Sequence, residues 1–184
     1  MNPILKDAQD RMNKSIEALR SELSKVRSGK ATTALLDGIK VEYYGSMVPL
    51  NQVSNISVLD AHTLSITPWE KSIVAVVDKA ILEANIGLNP ISDGTNLKIP
   101  VPPPTEERRK ELVKLVKKFG EETKVAVRNI RRDANEHLKK EEKDKKISED
   151  QMHDAEADVQ KLTDDHIKMV DDILKHKEVE IMEV

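Results

Sequence analysis

Apolar residues recur every three or four positions at Leu5, Ala8, Met12, Ser15/Ile16, Leu19, Leu23 and Val26, and then the pattern stops. It resumes only after Thr105. A second run carries Leu112, Leu115/Val116, Phe119, Thr123, Ala126, Ile130, Ala134 and His137/Leu138. A third, restarting at Ser148-Glu149-Asp150 after the break KDKK, carries Met152, Ala155, Val159, Leu162, His166, Met169/Val170 and Ile173. Spacings that alternate between three and four keep one side of a helix apolar and predict a seam of coiled-coil type. Three such seams can cover one another, so the chain is expected to close a three-helix bundle as a monomer. The composition agrees. With 34% charged and 2% aromatic residues, long amphipathic helices are favoured over a thick globular core.

The interruption reads differently. Ser28-Gly29 ends the first seam, with Gly29 expected as a helix C-cap. Ile39–Tyr44 alternates and is rich in β-formers, Gly45-Ser46 is a turn, and Met47–Leu50 follows. Val53–Leu59 and Thr63–Thr67 read as strands broken by Asp60-Ala61-His62. Trp69–Asn85 reads as a helix with Ile73, Val76, Val77, Ala80, Ile81 and Ala84 on one side. Gly87–Pro90 and Ser92–Thr95 are turns, and Leu97–Val101 is a last strand. The expected class is therefore α+β: an elongated three-helix bundle from residues 1–29 and 105–184, with a small α/β domain, 31–104, inserted. The chain crosses between them twice, at 28–31 and 102–105. Gly29, Lys30 and Ala31 on one side, and Pro102, Pro103, Pro104 and Thr105 on the other, are the candidate hinge. Pro100 joins the other prolines in stiffening the exit, and Thr105 before Glu106-Glu107 makes a good helix start.

Enzyme chemistry is sparse. The six glycines are scattered singly, with no phosphate-binding loop, no His-Glu-x-x-His pair and no Gly-x-Ser-x-Gly elbow. His62, His137, His153, His166 and His176 are dispersed, and His137 and His166 fall on seams, where packing is the expected role. No cofactor or metal is expected. There is no cysteine, which excludes disulfides and thiolate chemistry and fits a reducing compartment. No window approaches a membrane span, and the polar, periodic N-terminal sequence lacks the form of a signal peptide, so a cytoplasmic protein is expected.

The net charge of −3 hides an asymmetry. Residues 1–105 carry 11 basic and 11 acidic groups, 106–146 carry 15 and 10, and 147–184 carry 4 and 12. A local patch, not the total, governs electrostatic binding. Within the basic segment, Arg128, Arg131 and Arg132 sit at i, i+3 and i+4 and share one helix face, with Ala126 and Ile130 expected to point inward. Three guanidiniums on a ridge can fork onto successive phosphates. Pairing with the acidic third helix is an equally good reading of the charges alone, but the use of Arg, where most other cations are Lys, favours RNA. Arg108, Arg109 and Lys110 form a second cluster that reads mainly as ordinary helix surface. Arg27 and Lys30 flank Gly29 and suit a helix C-terminus. With so few aromatics, binding would be to the shape and phosphates of folded RNA and not by base stacking.

These residues lie in segments that closely resemble the ribosome recycling factor family: VRSGKA (26–31), LLDGIKVEYYGSMVPLNQV (35–53), GLNP (87–90), PPPTEERRKEL (102–112), KVAVRNIRRDAN (124–135) and ISED (147–150). They span most of the chain in order. The resemblance implies an L-shaped molecule, with the bundle and a β/α/β domain joined by a two-strand hinge. It implies a non-enzymatic factor that splits the post-termination 70S ribosome together with elongation factor G, which hydrolyses the GTP. It places the bundle on 23S RNA of the large subunit, near the peptidyl-transferase centre and an intersubunit bridge, and turns the other domain toward the small subunit and the elongation factor. Arg128 and Arg131 would be the main RNA contacts, with Arg27 beside them across the seam, and Arg132, Arg109 and Lys30 as lesser ones. The chain departs from the family with Lys30 for the usual Arg, Pro103 for Leu and His62 for a frequent Arg. Lys30 offers a point charge in place of a fork, and Pro103 should stiffen its crossing. The rival reading is a helical scaffold or chaperone-like adaptor that binds protein through its seam or its insert.

Overall fold

The computed structural model describes residues 2–183 and contains helices α1 (Pro3–Ser24), α2 (Val74–Glu83), α3 (Glu106–Lys143) and α4 (Glu149–Met182). Its strands are β1 (Lys40–Tyr43), β2 (Ser46–Pro49), β3 (Ser54–Asp60), β4 (Thr63–Pro68), β5 (Ile91–Ser92) and β6 (Leu97–Pro100). Two compact units result. One takes the chain up to Arg27 together with Glu106–Glu183, and the other is Ser28–Thr105.

The first unit is the helical one. α1 opens with the Asn2 side chain accepting from the Ile4 N–H at 2.9 Å and with Pro3 at the first helical position, where its missing N–H costs nothing. α4 opens on a capping box: Ser148 accepts from the Gln151 N–H, and the Gln151 side chain accepts from the Ser148 N–H. At about 1.5 Å per residue, α3 runs roughly 57 Å. α1 and α4 both run antiparallel to it. Ala8 and Met12 share one apolar cluster with Val127, Ile130, Ala134, Leu138, Met152 and Val159. Ile16, Leu19, Leu23 and Val26 share another with Leu112, Val116, Val170 and Leu174.

Between the two clusters lies a buried polar layer. Thr163 donates to the Val159 carbonyl at 2.7 Å. His166, 2% exposed, places Nδ1 2.7 Å from the Leu162 carbonyl and Nε2 2.8 Å from the Asn13 amide of α1. The carbonyl only accepts, so Nδ1 carries a proton. His166 is thus a packed, bonded residue. His137 is not on the seam as expected: it is exposed, and Leu138 takes the inward place. The other doubtful pairs resolve the same way, with Val116 buried and Leu115 38% exposed, and Val170 buried and Met169 46% exposed. Val127, not Ala126, is the fully buried residue before Ile130. Gly120 is buried where Phe119 was expected to lead. A Cβ at Gly120 would collide with Leu174, so the glycine lets α3 and α4 approach.

In the second unit β1 and β2 form an antiparallel hairpin, and β3, β4, β6 and β5 form an antiparallel sheet in that order. The registers pair Leu64 with Ile99 and Ile66 with Leu97. All four are fully buried and alternate with polar residues, as a sheet covered on one face requires. Val77 and Ile81, one helical turn apart, bring α2 onto this core. The helix is shorter than the sequence suggests. Lys71–Ile73 is a 3-10 turn, Trp69 precedes it at 72% exposure, and Val76 and Ala84 face outward. Ile91–Ser92 pairs with β6, which the turn composition around it conceals.

Both ends of this unit are fastened to the β3–β4 turn. The Ala31 N–H donates to the Ala61 carbonyl at 2.8 Å, and the Val101 N–H donates to the His62 carbonyl at 2.7 Å. The turn itself is held by Asp60, which accepts from the His62 N–H at 2.8 Å, and that bond lowers the Asp60 pKa. Gly29 is not a helix C-cap, because α1 ends at Ser24. Gly29 has φ +85° and packs so closely on Pro104 that a Cβ would strike the proline ring. Both the left-handed backbone and the contact call for glycine.

Candidate nucleic-acid interface

The α3 segment Lys124–Asp133 owes its two-sided character to its packing. Val127, Ile130 and Ala134 are buried in the bundle. That turns Arg128, Arg131 and Arg132 onto a common flank and Asp133 onto the other. Arg128 and Arg131 are half-buried along their stems and Arg132 is exposed. Asp133 faces α1, where it accepts from Arg11 at 2.8 Å. That bond, and the nearby charge of Asp7, raise the Arg11 pKa further above its ordinary value.

Charge pairing with α4 takes only part of the segment. Lys124, its side chain 15% exposed, reaches Asp171 at 2.6 Å and Glu121 at 3.5 Å. The Asp171 bond raises its pKa above the ordinary lysine value. Arg131 Nη1 donates to the neutral Gln160 at 3.1 Å. Arg128 and Arg132 have no hydrogen-bond or ion-pair partner among the described residues. The ridge therefore keeps unneutralised guanidiniums one helical turn apart, the arrangement that phosphates along a folded RNA backbone can engage.

The remaining expected contacts lie elsewhere. Arg27 is not beside the ridge. Val26 shares its cluster with Leu112 and Val116, so Arg27 lies toward the N-terminal stretch of α3. Sixteen residues separate Leu112 from Arg128, roughly 24 Å of helix. Arg109 is half-buried in the first turn of α3, and Arg27 is exposed. Lys30 is half-buried and belongs to the inserted unit, as do Gly29, Ala31, Pro102, Pro103, Pro104 and Thr105. Ala31 is 6% exposed.

Sequence reading missed one feature. The inserted unit exposes Tyr44 at 81%, Met47 at 63% and Trp69 at 72%. Tyr43 and Tyr44 both donate to Glu70, at 2.8 and 3.2 Å, beside Trp69. Tyr43 and Tyr44 also meet edge to face, at 4.5 Å between ring centres, and the rarity of aromatic residues in the chain was the signal that could have drawn attention to them. No group of three or more His, Asp or Glu residues among the described residues could hold a metal ion, and no described helix is long and apolar enough to cross a membrane.

Comparison with known proteins bears on the whole chain. The family model for the ribosome recycling factor matches residues 19–182. The ribosome-recycling factor of Burkholderia mallei (strain SAVP1) is 55% identical over 181 residues, 98% of this chain and 97% of that protein, and that of Burkholderia pseudomallei (strain 668) matches equally. A solution structure of the ribosome recycling factor superposes with a TM-score of 0.73 at 42% identity, covering 98% of this chain and 96% of the other. A second structure gives 0.61 at 44% identity, covering 97% of each chain. It is described as models for the T. thermophilus ribosome recycling factor and the E. coli elongation factor G bound to the E. coli post-termination complex. Sequence and fold agree along nearly the entire length, and the chain belongs to the ribosome recycling factor family.

Proposed function

We propose that this chain releases ribosomes from mRNA after termination, splitting the post-termination 70S complex together with elongation factor G. It is a non-enzymatic translation factor and carries no cofactor chemistry of its own; the GTP is hydrolysed by its partner. The helical unit binds 23S RNA of the large subunit through Arg128, Arg131 and Arg132, with Arg27, Arg109 and Lys30 as separate, lesser contacts. The observation that carries the RNA reading is the pair of unpartnered guanidiniums, Arg128 and Arg132, on a segment whose Lys124 is neutralised. The work is done in the cytoplasm, where such ribosomes act.

Elongation factor G works against the inserted unit, and the exposed Tyr44, Met47 and Trp69 supply apolar contact area for a protein of that kind. The two crossings serve as the pivot. Ala31 is tied to the β3–β4 turn, so the movable part is narrowed to Ser28–Lys30 and Pro102–Thr105. The Gly29–Pro104 contact supports this, because it holds the two crossings side by side and lets them turn together.

Sedimentation with purified ribosomal subunits tests the reading. The chain should travel with large subunits, less so as salt rises, because phosphate contacts release counterions. Adding elongation factor G and GTP to post-termination 70S should yield free subunits. Failure to bind large subunits, or binding indifferent to salt, sinks the proposal.

A further inference from the structure

Cations that tie the helical unit together are held in two ways. Arg11 of α1 is held by Asp133 of α3, and Lys124 of α3 by Asp171 of α4. In each case the carboxylate that holds the charge also cancels it. Arg131 bridges the same two helices as Lys124, but its partner is an amide, Gln160 Oε1 at 3.1 Å. That amide is itself held. Gln160 Nε2 donates to Asp164 Oδ1 at 2.9 Å, one turn along α4. A carboxylate only accepts, so Asp164 takes the N–H end of the amide and leaves the oxygen facing Arg131.

We infer that Gln160 is a positioning residue for ribosomal RNA binding, which aims the Arg131 guanidinium without neutralising it. The inference rests on the reading of Arg131 as a phosphate contact. An arginine side chain free to sample its rotamers must be ordered when it binds, and that ordering weakens the complex. A partner that fixes the guanidinium beforehand removes part of the loss. A carboxylate at position 160 would hold it more firmly, through a charge-assisted bond, but would set a negative charge against the incoming phosphate. The amide orients and leaves the charge. Asp164 stands one amide removed from the guanidinium, with its Oδ1 engaged by Gln160.

The test is the affinity of the full chain for purified large ribosomal subunits, measured across a salt series. Gln160→Leu keeps most of the bulk of the side chain and removes the bond. It should weaken binding roughly three- to tenfold at every salt, with the slope unchanged because no charge is altered. Gln160→Glu should weaken binding further and flatten the slope by about one contact. Neither should lower the melting temperature appreciably, since the site is exposed. In an Arg131→Ala background, Gln160→Leu should change affinity by less than about twofold, the mark of two residues acting as one. If Arg131→Ala alone leaves affinity intact, the phosphate reading fails and this inference falls with it. If Arg131→Ala weakens binding while Gln160→Leu does not, or if the two losses add in the double variant, the positioning role is overturned and the phosphate reading stands.

Discussion

The two flanks of α3 use the same kinds of side chain for opposite ends. Toward α1, Asp133 and Arg11 close on each other at 2.8 Å, and toward α4 Lys124 closes on Asp171 at 2.6 Å. Further along, Arg128 and Arg132 make no ion pair among the described residues. The paired cations link α3 to each of its two neighbours. The unpaired ones keep their charge, which the proposed RNA contact would use. Whether a cation on this helix is cancelled or left charged depends on what the neighbouring helix places across from it, not on its own identity.

The largest effect expected from this contrast is on ribosome binding. Arg128→Ala combined with Arg132→Ala removes two charge-assisted contacts at about 1.5–3 kcal/mol each, so affinity for large subunits should fall by at least about a hundredfold. The melting temperature should hardly move. A large stability loss with intact binding would reverse the assignment of the two flanks. A smaller effect is expected from Asn135→Asp. Asn135 lies four residues past Arg131 and three past Arg132, so a carboxylate there can pair with either on the helix surface. Its Oδ1 is buried and has no hydrogen-bond partner among the described residues. Affinity should drop several-fold, with at most a modest loss of stability from the partly buried carboxylate, and an unchanged Kd would show that local neutralisation does not matter.

Lys124→Met should do the converse. Its pair with Asp171 is partly open to solvent, with Asp171 56% exposed, so screening limits the loss of folding stability to about 1 kcal/mol. Subunit affinity should stay within about twofold of the parent, on the scale of an interaction not made with RNA. The smallest effect concerns pH. The Lys124 pKa is raised in the folded state by its bond to Asp171. A raised pKa means that the folded chain holds this proton more tightly than the unfolded chain. The stabilisation is complete below the ordinary lysine pKa, about 10.4, and is lost as pH rises through the higher folded value. Denaturant melts taken from neutral to strongly alkaline pH should show a steeper decline for the parent than for Lys124→Met. Identical slopes would show that this pair does not contribute.

Much of this architecture is legible in the residues. The three helices, the interruption by strands and the shared face of Arg128, Arg131 and Arg132 follow from local periods of 3.6 and 2, which act within a few residues of chain. Ambiguity begins where two adjacent residues could both lie on a seam. Leu115 against Val116, His137 against Leu138 and Met169 against Val170 differ by one step of about 100° around the helix, and only the direction of the neighbouring helix chooses between them. The reading that set Arg27 beside the ridge failed for a related reason. Closeness in a family motif says nothing about position along a bundle, and the antiparallel packing of α1 sends Val26 to Leu112 and Val116. The contact of Tyr43 and Tyr44 with Glu70 joins residues 26 positions apart, beyond the reach of any local pattern.

By itself, then, the sequence determined the three long helices, the α+β class, the inserted unit and which helix bears the arginines, because each is a property of neighbouring residues. Tertiary structure decided which cations are cancelled and which remain. Pairing across helices depends on their rotation and longitudinal register, and a shift of one residue exchanges a carboxylate for open solvent. Arg131 shows the difference most clearly. Its spacing marks it as one of three equal arginines, and only the packing of α4 against α3 gives it Gln160, a partner that holds it and leaves its charge in place.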